Sequence, residues 1–184
     1  MYGFVAELIL LSTGKKIMQL VNNLNKKKFL SVFGNIFENA YWIAEKVFFQ
    51  APFKNFSDLQ SKMIIVFESL SYEKQLEIIF NHPDLADKVK IESLSYESKN
   101  EQKKSNLDNC TLEEFNEFKN LNISYKKKFG FPFILSVSRK NKNEILNIFR
   151  KRILSNKKDE FNEAKIQVIN IAISRLNNLK TMFH

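Results

Sequence analysis

The chain has 184 residues, 44% of them hydrophobic, a size at which one domain can bury a core and fold alone. Its 29 lysines and arginines against 20 acidic residues give a formal net charge of +9 that is spread along the length, as on solvated helix faces, rather than gathered into one stripe. The single cysteine, Cys110, excludes an intrachain disulfide and any cysteine-based zinc or redox motif, and two histidines leave a histidine-rich metal site short of ligands.

With only 4 glycines and 3 prolines, long stretches can stay helical without interruption, which predicts an all-α protein. Met1 to Leu11 is apolar but carries Glu7, lacks a basic leader and is too short to span a bilayer, so it reads as neither signal peptide nor transmembrane helix. Residues 1–17 are expected to be an N-terminal extension and 18–184 one helical domain. Apolar spacing then predicts helices over Lys26–Phe37 and Tyr41–Gln50, the second ending before Ala51-Pro52. Ser57-Asp58-Leu59-Gln60 reads as a capping box opening a third helix through Met63, Ile64 and Phe67. A fourth covers Tyr72–Phe80 and stops at His82-Pro83, because the residue before a proline disfavours helical backbone.

His82 is the only interior histidine, the other being the terminal His184. Acid–base chemistry would be placed at such a junction if the protein performs any. Alternatively His82 ends one helix while Pro83 and Asp84 start the next. The polar stretch Ser93–Asn109 is open to two readings as well. Its low hydrophobicity suits a linker, yet Ser98, Glu101 and Gln102 fall at i, i+3 and i+4, which on a helix sets three hydrogen-bonding groups on one face.

Thr111-Leu112-Glu113-Glu114 is a capping box for a long helix ending near Phe129-Gly130. Phe131 to Val137 comes next as an apolar extended segment with no strand partner in the sequence, so its backbone groups must be satisfied by neighbours, water or a ligand. Two more helices are expected over Lys142–Leu154 and Asp159–Lys180. In the last, Phe161, Ala164, Val168, Ile171 and Leu179 form one apolar stripe that Arg175 interrupts. An arginine there either snorkels to solvent or faces an anionic group inside. There is no solenoid repeat and no Gly-rich phosphate loop.

Taken together, these pieces resemble the 2-oxo-4-hydroxy-4-carboxy-5-ureidoimidazoline (OHCU) decarboxylases, from about Leu20 to Leu179. The resemblance rests on Phe37-Glu38-Asn39 with Trp42-Ile43-Ala44-Glu45, on His82-Pro83-Asp84-Leu85-Ala86, on Ser98 with Glu101-Gln102, on Phe129-Gly130-Phe131-Pro132-Phe133-Ile134, and on Arg175-Leu176. Tyr41 departs from a proline usual before the tryptophan, and Ala51 from an arginine usual before Pro52-Phe53.

The resemblance implies an all-helical, cofactor-free and metal-free enzyme that converts OHCU to S-allantoin in urate catabolism, commonly as a homodimer. It implies His82 as the catalytic proton donor, with Pro83 beside the substrate. Ser98, Lys99, Asn100, Glu101 and Gln102 would form one substrate-binding segment, and Glu101 would orient the histidine or the substrate hydroxyl. Phe133, Ile134, Leu135, Ser136 and Val137 would form a second through backbone groups, and Arg175 would reach the same pocket. The implied partner is a small ureide, with neither nucleic acid nor membrane, and there is room for association with hydroxyisourate hydrolase, the preceding enzyme. The terminal Thr181-Met182-Phe183-His184 is not a peroxisomal Ser-Lys-Leu signal, so the cytoplasm is the expected location. The rival expectations are a basic helical nucleic-acid-binding protein and a catalytically retired relative acting as a subunit.

Overall fold

A computed structural model describes residues 14–85, 95–105 and 107–182. Residues 1–13 of the expected 1–17 extension, Ala86 of the His82 motif and the terminal His184 lie outside the described residues. Among the described residues the architecture is all-α: α1 (Gly14–Asn22), α2 (Lys26–Phe33), α3 (Tyr41–Phe48), α4 (Phe56–Glu68), α5 (Tyr72–Phe80), α6 (Tyr96–Lys104), a 3-10 turn (Leu107–Asn109), α7 (Leu112–Phe129), α8 (Lys142–Arg152) and α9 (Lys157–Met182). No helix among them is long and apolar enough to cross a membrane. The chain divides into two compact units, one of residues 1–75 with 171–184 and one of residues 76–170, so that both boundaries fall inside helices, α5 and α9.

The first unit packs α2 on α3 and α3 on α4 around phenylalanines. Phe29 meets Phe33 at 4.7 Å and stacks on Phe53 at 5.9 Å, while Phe37 stacks on Phe67 at 5.2 Å. Offset and tilted pairs of this kind each contribute about 0.5–1.5 kcal/mol beyond the area they bury. The Asn22 amide bonds both the N–H and the C=O of Phe53, at 2.8 and 2.9 Å, and so ties the end of α1 to the loop before α4. Ile17 on α1 is buried, so helical packing begins before Met18.

Two local expectations are corrected here. α2 ends at Phe33 rather than Phe37, because the chain turns at Gly34, where a Cβ would lie 2.4 Å from the Leu30 carbonyl oxygen. Ile36 and Phe37 remain buried in the turns beyond it, with Asn39 at φ 51°, so the apolar spacing outlasts the helix. The cap of α4 is Asn55, whose side chain accepts from the Asp58 N–H, and not Ser57, which lies exposed in the first turn. Starting two residues earlier places the buried Phe56 on the helix.

In the second unit α6 decides the status of the polar stretch. Residues 96–104 are helical, capped by Ser95, whose hydroxyl accepts from the Ser98 N–H at 3.1 Å; they are not a linker. α7 opens with the expected Thr111/Glu114 capping box and closes on Gly130 in the left-handed conformation, φ 81°. α8 opens with a second box, Asn141/Glu144. The core is a cluster around Tyr125, whose ring lies 4.5 Å from Phe129, 5.3 Å from Phe133 and 5.6 Å from Phe149. Phe133 stacks on Phe149 at 3.8 Å and thereby anchors the extended segment that leaves Gly130.

Glu114 also pairs with Lys142 at 2.7 Å, and that contact, followed by its bond to Thr111, holds its carboxyl below the usual range. A depressed folded-state value stabilises the fold fully above the unfolded value of roughly 4.3, and the contribution is lost as pH falls through the folded value. Glu114→Gln keeps the cap but not the charge. Its melting temperature should therefore fall below wild type at pH 7, and the gap should close on acidification below about pH 4. A gap that persists unchanged at pH 3 would show that the cap, and not the charge, sets it.

Candidate active site

His82 lies just past the C-terminus of α5 and is 7% exposed. Its backbone N–H bonds the Ile79 carbonyl and its ring Nδ1 lies 2.8 Å from the Ile78 carbonyl. A carbonyl only accepts, so Nδ1 carries the proton and Nε2 is the nitrogen at which a proton can be gained or given up. The ring direction is thus set by the last turn of the preceding helix.

The residues after His82 are held by side chains from two helices. Gln102 of α6 donates from Nε2 to the Asp84 carbonyl at 3.3 Å. On α7, Asn122 donates from Nδ2 to the Leu85 carbonyl at 3.0 Å, and Lys126, one turn on, meets the Asp84 carboxylate at 2.6 Å. The Asn122 amide is oriented by that bond, and its Oδ1 is buried with no partner among the described residues.

On α6, Ser98 and Gln102 are buried and Glu101 is half-buried, as the i, i+3, i+4 spacing requires of one face. Lys99 is half-buried and Asn100 exposed on the other side of the helix. Pro83 is half-buried. Phe133, Ile134, Leu135 and Val137 are buried and Ser136 half-buried, in an extended run that pairs with no strand among the described residues.

Side chains take the place of the missing strand. The Ile134 carbonyl accepts from Arg152 at 2.6 Å, the Ser136 N–H donates to Gln167 at 3.0 Å, and the Ser136 carbonyl accepts from Lys140 at 2.9 Å. The Val137 carbonyl accepts from the Ser105 hydroxyl at 2.8 Å, just past the end of α6. The N–H and C=O groups of Phe133 and Leu135 have no partner among the described residues.

Arg175 belongs to the other unit. It does not snorkel: it is 4% exposed, pairs with the equally buried Glu38 at 2.8 Å and donates to the Asn35 carbonyl at 3.0 Å. The second of the two sequence readings, an anionic partner inside, is the one realised. Glu38 comes from the Phe37-Glu38-Asn39 motif, which the fold brings to the last helix.

Sequence reasoning missed Asn122, Lys126, Arg152, Glu160 and Gln167. One signal existed. Asn122 stands among Phe118, Tyr125 and Phe129 on the buried stripe of α7, the same anomaly that singled out Arg175 on α9. The other four sit at ordinary polar positions, and only the fold brings them to a backbone group or a buried charge.

A family model described as OHCU decarboxylase matches residues 22–177. The chain belongs to the OHCU decarboxylase family. An OHCU decarboxylase of Haloferax volcanii is 33% identical over 159 residues, 86% of this chain and 93% of that protein. A uric acid degradation bifunctional protein of Bacillus sp. (strain TB-90) is 36% identical over 162 residues, 88% of this chain but 32% of that protein. This chain therefore spans about a third of the bifunctional relative and most of the single-function one. Among solved structures, an (S)-allantoin synthase superposes with a TM-score of 0.71 at 26% identity, over 88% of this chain and 53% of that one. An OHCU decarboxylase crystallised in the presence of (S)-allantoin shares the fold, with a TM-score of 0.63 at 18% identity, over 84% of this chain and 98% of that one.

Within this family member the Glu38–Arg175 pair is costly to break from one side, since both side chains are buried. Removing one partner of a buried pair strands the other charge, at about 3–5 kcal/mol. Glu38→Ala should lose stability on that scale in urea unfolding, and Glu38→Leu combined with Arg175→Met should recover most of it. A Glu38→Ala loss below about 1 kcal/mol, the scale of an exposed pair, would show that the pair is solvated.

Proposed function

We propose that the chain decarboxylates OHCU to (S)-allantoin without a cofactor, as a step of urate catabolism. The observation that supports this best is the placement of a histidine with a fixed tautomer, on a turn bound by Gln102 of α6, in the same unit as an extended segment whose Phe133 and Leu135 peptide groups are unpaired among the described residues. A ureide carries planar sets of N–H donors and C=O acceptors, and an unpaired peptide edge offers the complementary groups.

Decarboxylation needs somewhere for the electrons of the breaking C–C bond to go. In OHCU the ring C=N next to the carboxylate-bearing carbon receives them as CO2 leaves, giving an enol; the hydroxyl on the carbon that lost CO2 then gives up its proton to become a carbonyl, and the former C=N carbon takes up a proton to form the new C–H bond. The task for the protein is to hold the carboxylate, exclude water and deliver that proton to one face. His82 delivers or relays it from Nε2, and Glu101 orients the histidine or the substrate hydroxyl. Ser98, Gln102 and Arg175 bind polar edges, with Pro83, Lys99 and Asn100 flanking them, and the backbone of Phe133 to Val137 reads the ureide plane. Arg175, with its charge balanced by Glu38, acts as a fixed hydrogen-bond donor more than as a bare cation.

The machinery proposed here lies wholly within residues 18–184. The active form is a homodimer in the cytoplasm. The bifunctional uric acid degradation relatives, of which this chain spans about a third, support association with a partner enzyme, which we take to be hydroxyisourate hydrolase. Sedimentation velocity should return twice the chain mass, and a monomer at micromolar concentration would remove the dimer.

To test the activity, urate oxidase and hydroxyisourate hydrolase generate OHCU and the optical activity of allantoin is followed with and without this protein. His82→Ala and His82→Asn should lower turnover by roughly 10²–10⁴-fold with helical content unchanged. Near wild-type turnover in either folded variant would take His82 out of the chemistry.

A further inference from the structure

In an extended chain successive residues turn their peptide groups to opposite sides, so Ile134 and Ser136 share one edge while Phe133, Leu135 and Val137 share the other. The two edges are treated differently. On the Ile134/Ser136 edge three of the four groups are bound by side chains, from Arg152, Gln167 and Lys140. On the other edge only Val137 is tied, its carbonyl accepting from the Ser105 hydroxyl just past α6 and from the Lys140 N–H, and the buried Leu135 keeps both its N–H and its C=O unpaired among the described residues. Buried peptide groups left without partners are rare in folded proteins because each costs about 1–3 kcal/mol.

Arg152 is the strongest of the ties. Its guanidinium gives Nε and Nη2 to the Glu160 carboxylate at 2.9 and 2.5 Å, gives Nη1 to the Ile134 carbonyl at 2.6 Å, and lies over the Phe133 ring at 4.6 Å. Glu160, in the first turn of α9, is 1% exposed and also accepts from the Tyr125 hydroxyl. A buried ion pair of this kind adds little net stability over apolar residues of similar volume. What apolar residues could not supply is a rigid donor aimed at Ile134.

We propose that Arg152, oriented by Glu160, is a positioning residue that holds the 133–137 segment by one edge and so presents the Leu135 N–H and C=O on the other edge to the ureide. The inference rests on the reading of this segment as substrate-binding. It assigns recognition of the planar ureide to a residue that need not touch it. Lysine cannot replace arginine here, because an ammonium has no planar fork to span a carboxylate and a carbonyl at once. Gln167 has the same role at Ser136, more weakly, since its bond is neutral.

The test compares Arg152→Lys and Gln167→Ala with Val168→Ala, a core truncation on α9 that touches none of these bonds. Arg152→Lys should raise KM for OHCU about tenfold while kcat stays within about threefold, because His82 is untouched. Gln167→Ala should move KM the same way by a smaller factor and covers the case in which the arginine variant does not fold. Val168→Ala should lower the melting temperature with KM unchanged. Unchanged KM in both positioning variants, or an equal rise in Val168→Ala, overturns the proposal. If the wild-type protein does not accelerate OHCU loss, the functional reading fails separately. The positioning claim is then decided by the backbone amide NMR signals of Ile134 to Val137. Displaced or multiplied signals in Arg152→Lys, with those of α7 unmoved, uphold the claim, and signals identical to wild type overturn it.

Discussion

An extended segment without a sheet must find its hydrogen bonds one at a time, and the second unit is organised around that constraint. Gly130 ends α7 in a conformation that turns the chain out of the helix, and Pro132 forbids its resumption. Through Phe133 the segment then lies against an aromatic floor of Tyr125 and Phe149, where water is excluded and unpaired peptide groups are costly. Ordinary strands answer this with a neighbouring strand, which would occupy both edges. Side chains from α8 and α9 answer it on one edge only, and an edge left unpaired can meet a ligand.

Each unit contains a buried arginine–carboxylate pair, and the two have a common form. Arg175 bridges Glu38 and the Asn35 carbonyl; Arg152 bridges Glu160 and the Ile134 carbonyl. In both, the carboxylate neutralises the guanidinium, and the remaining N–H groups secure an irregular stretch of backbone that has no helical partner. The fork geometry of arginine allows this, because donors in one plane can serve two acceptors of different kinds. Charge is thus used for placement more than for net stabilisation.

His82 obeys the same economy at a helix end. The last carbonyls of a helix lack intrahelical donors, and the His82 ring serves one of those carbonyls, at Ile78. That bond sets the tautomer, with the proton on Nδ1. Pro83 keeps α5 from continuing, and Gln102, Asn122 and Lys126 hold Asp84 and Leu85 in place beyond it.

The sequence by itself determined the helical class, most helix limits, the capping box at Thr111, the glycine cap at Gly130 and the isolation of the Phe131–Val137 segment, because these depend on local spacing and on residue types with narrow backbone preferences. The family motifs around His82, Ser98–Gln102 and Arg175 were legible for the same reason. Tertiary structure decided the rest. The turn at Gly34 was hidden because buried Ile36 and Phe37 extend an apolar rhythm into non-helical backbone, and Asn55 displaced Ser57 as a cap because Phe56 had to be buried on the helix. Whether Arg175 reached solvent depended on Glu38, 137 positions away, and the function of Arg152 depended on a carbonyl in another element. A charge or amide on a helix carries no local mark of the partner it will meet; only packing, which brings distant residues together where water is excluded, supplies one.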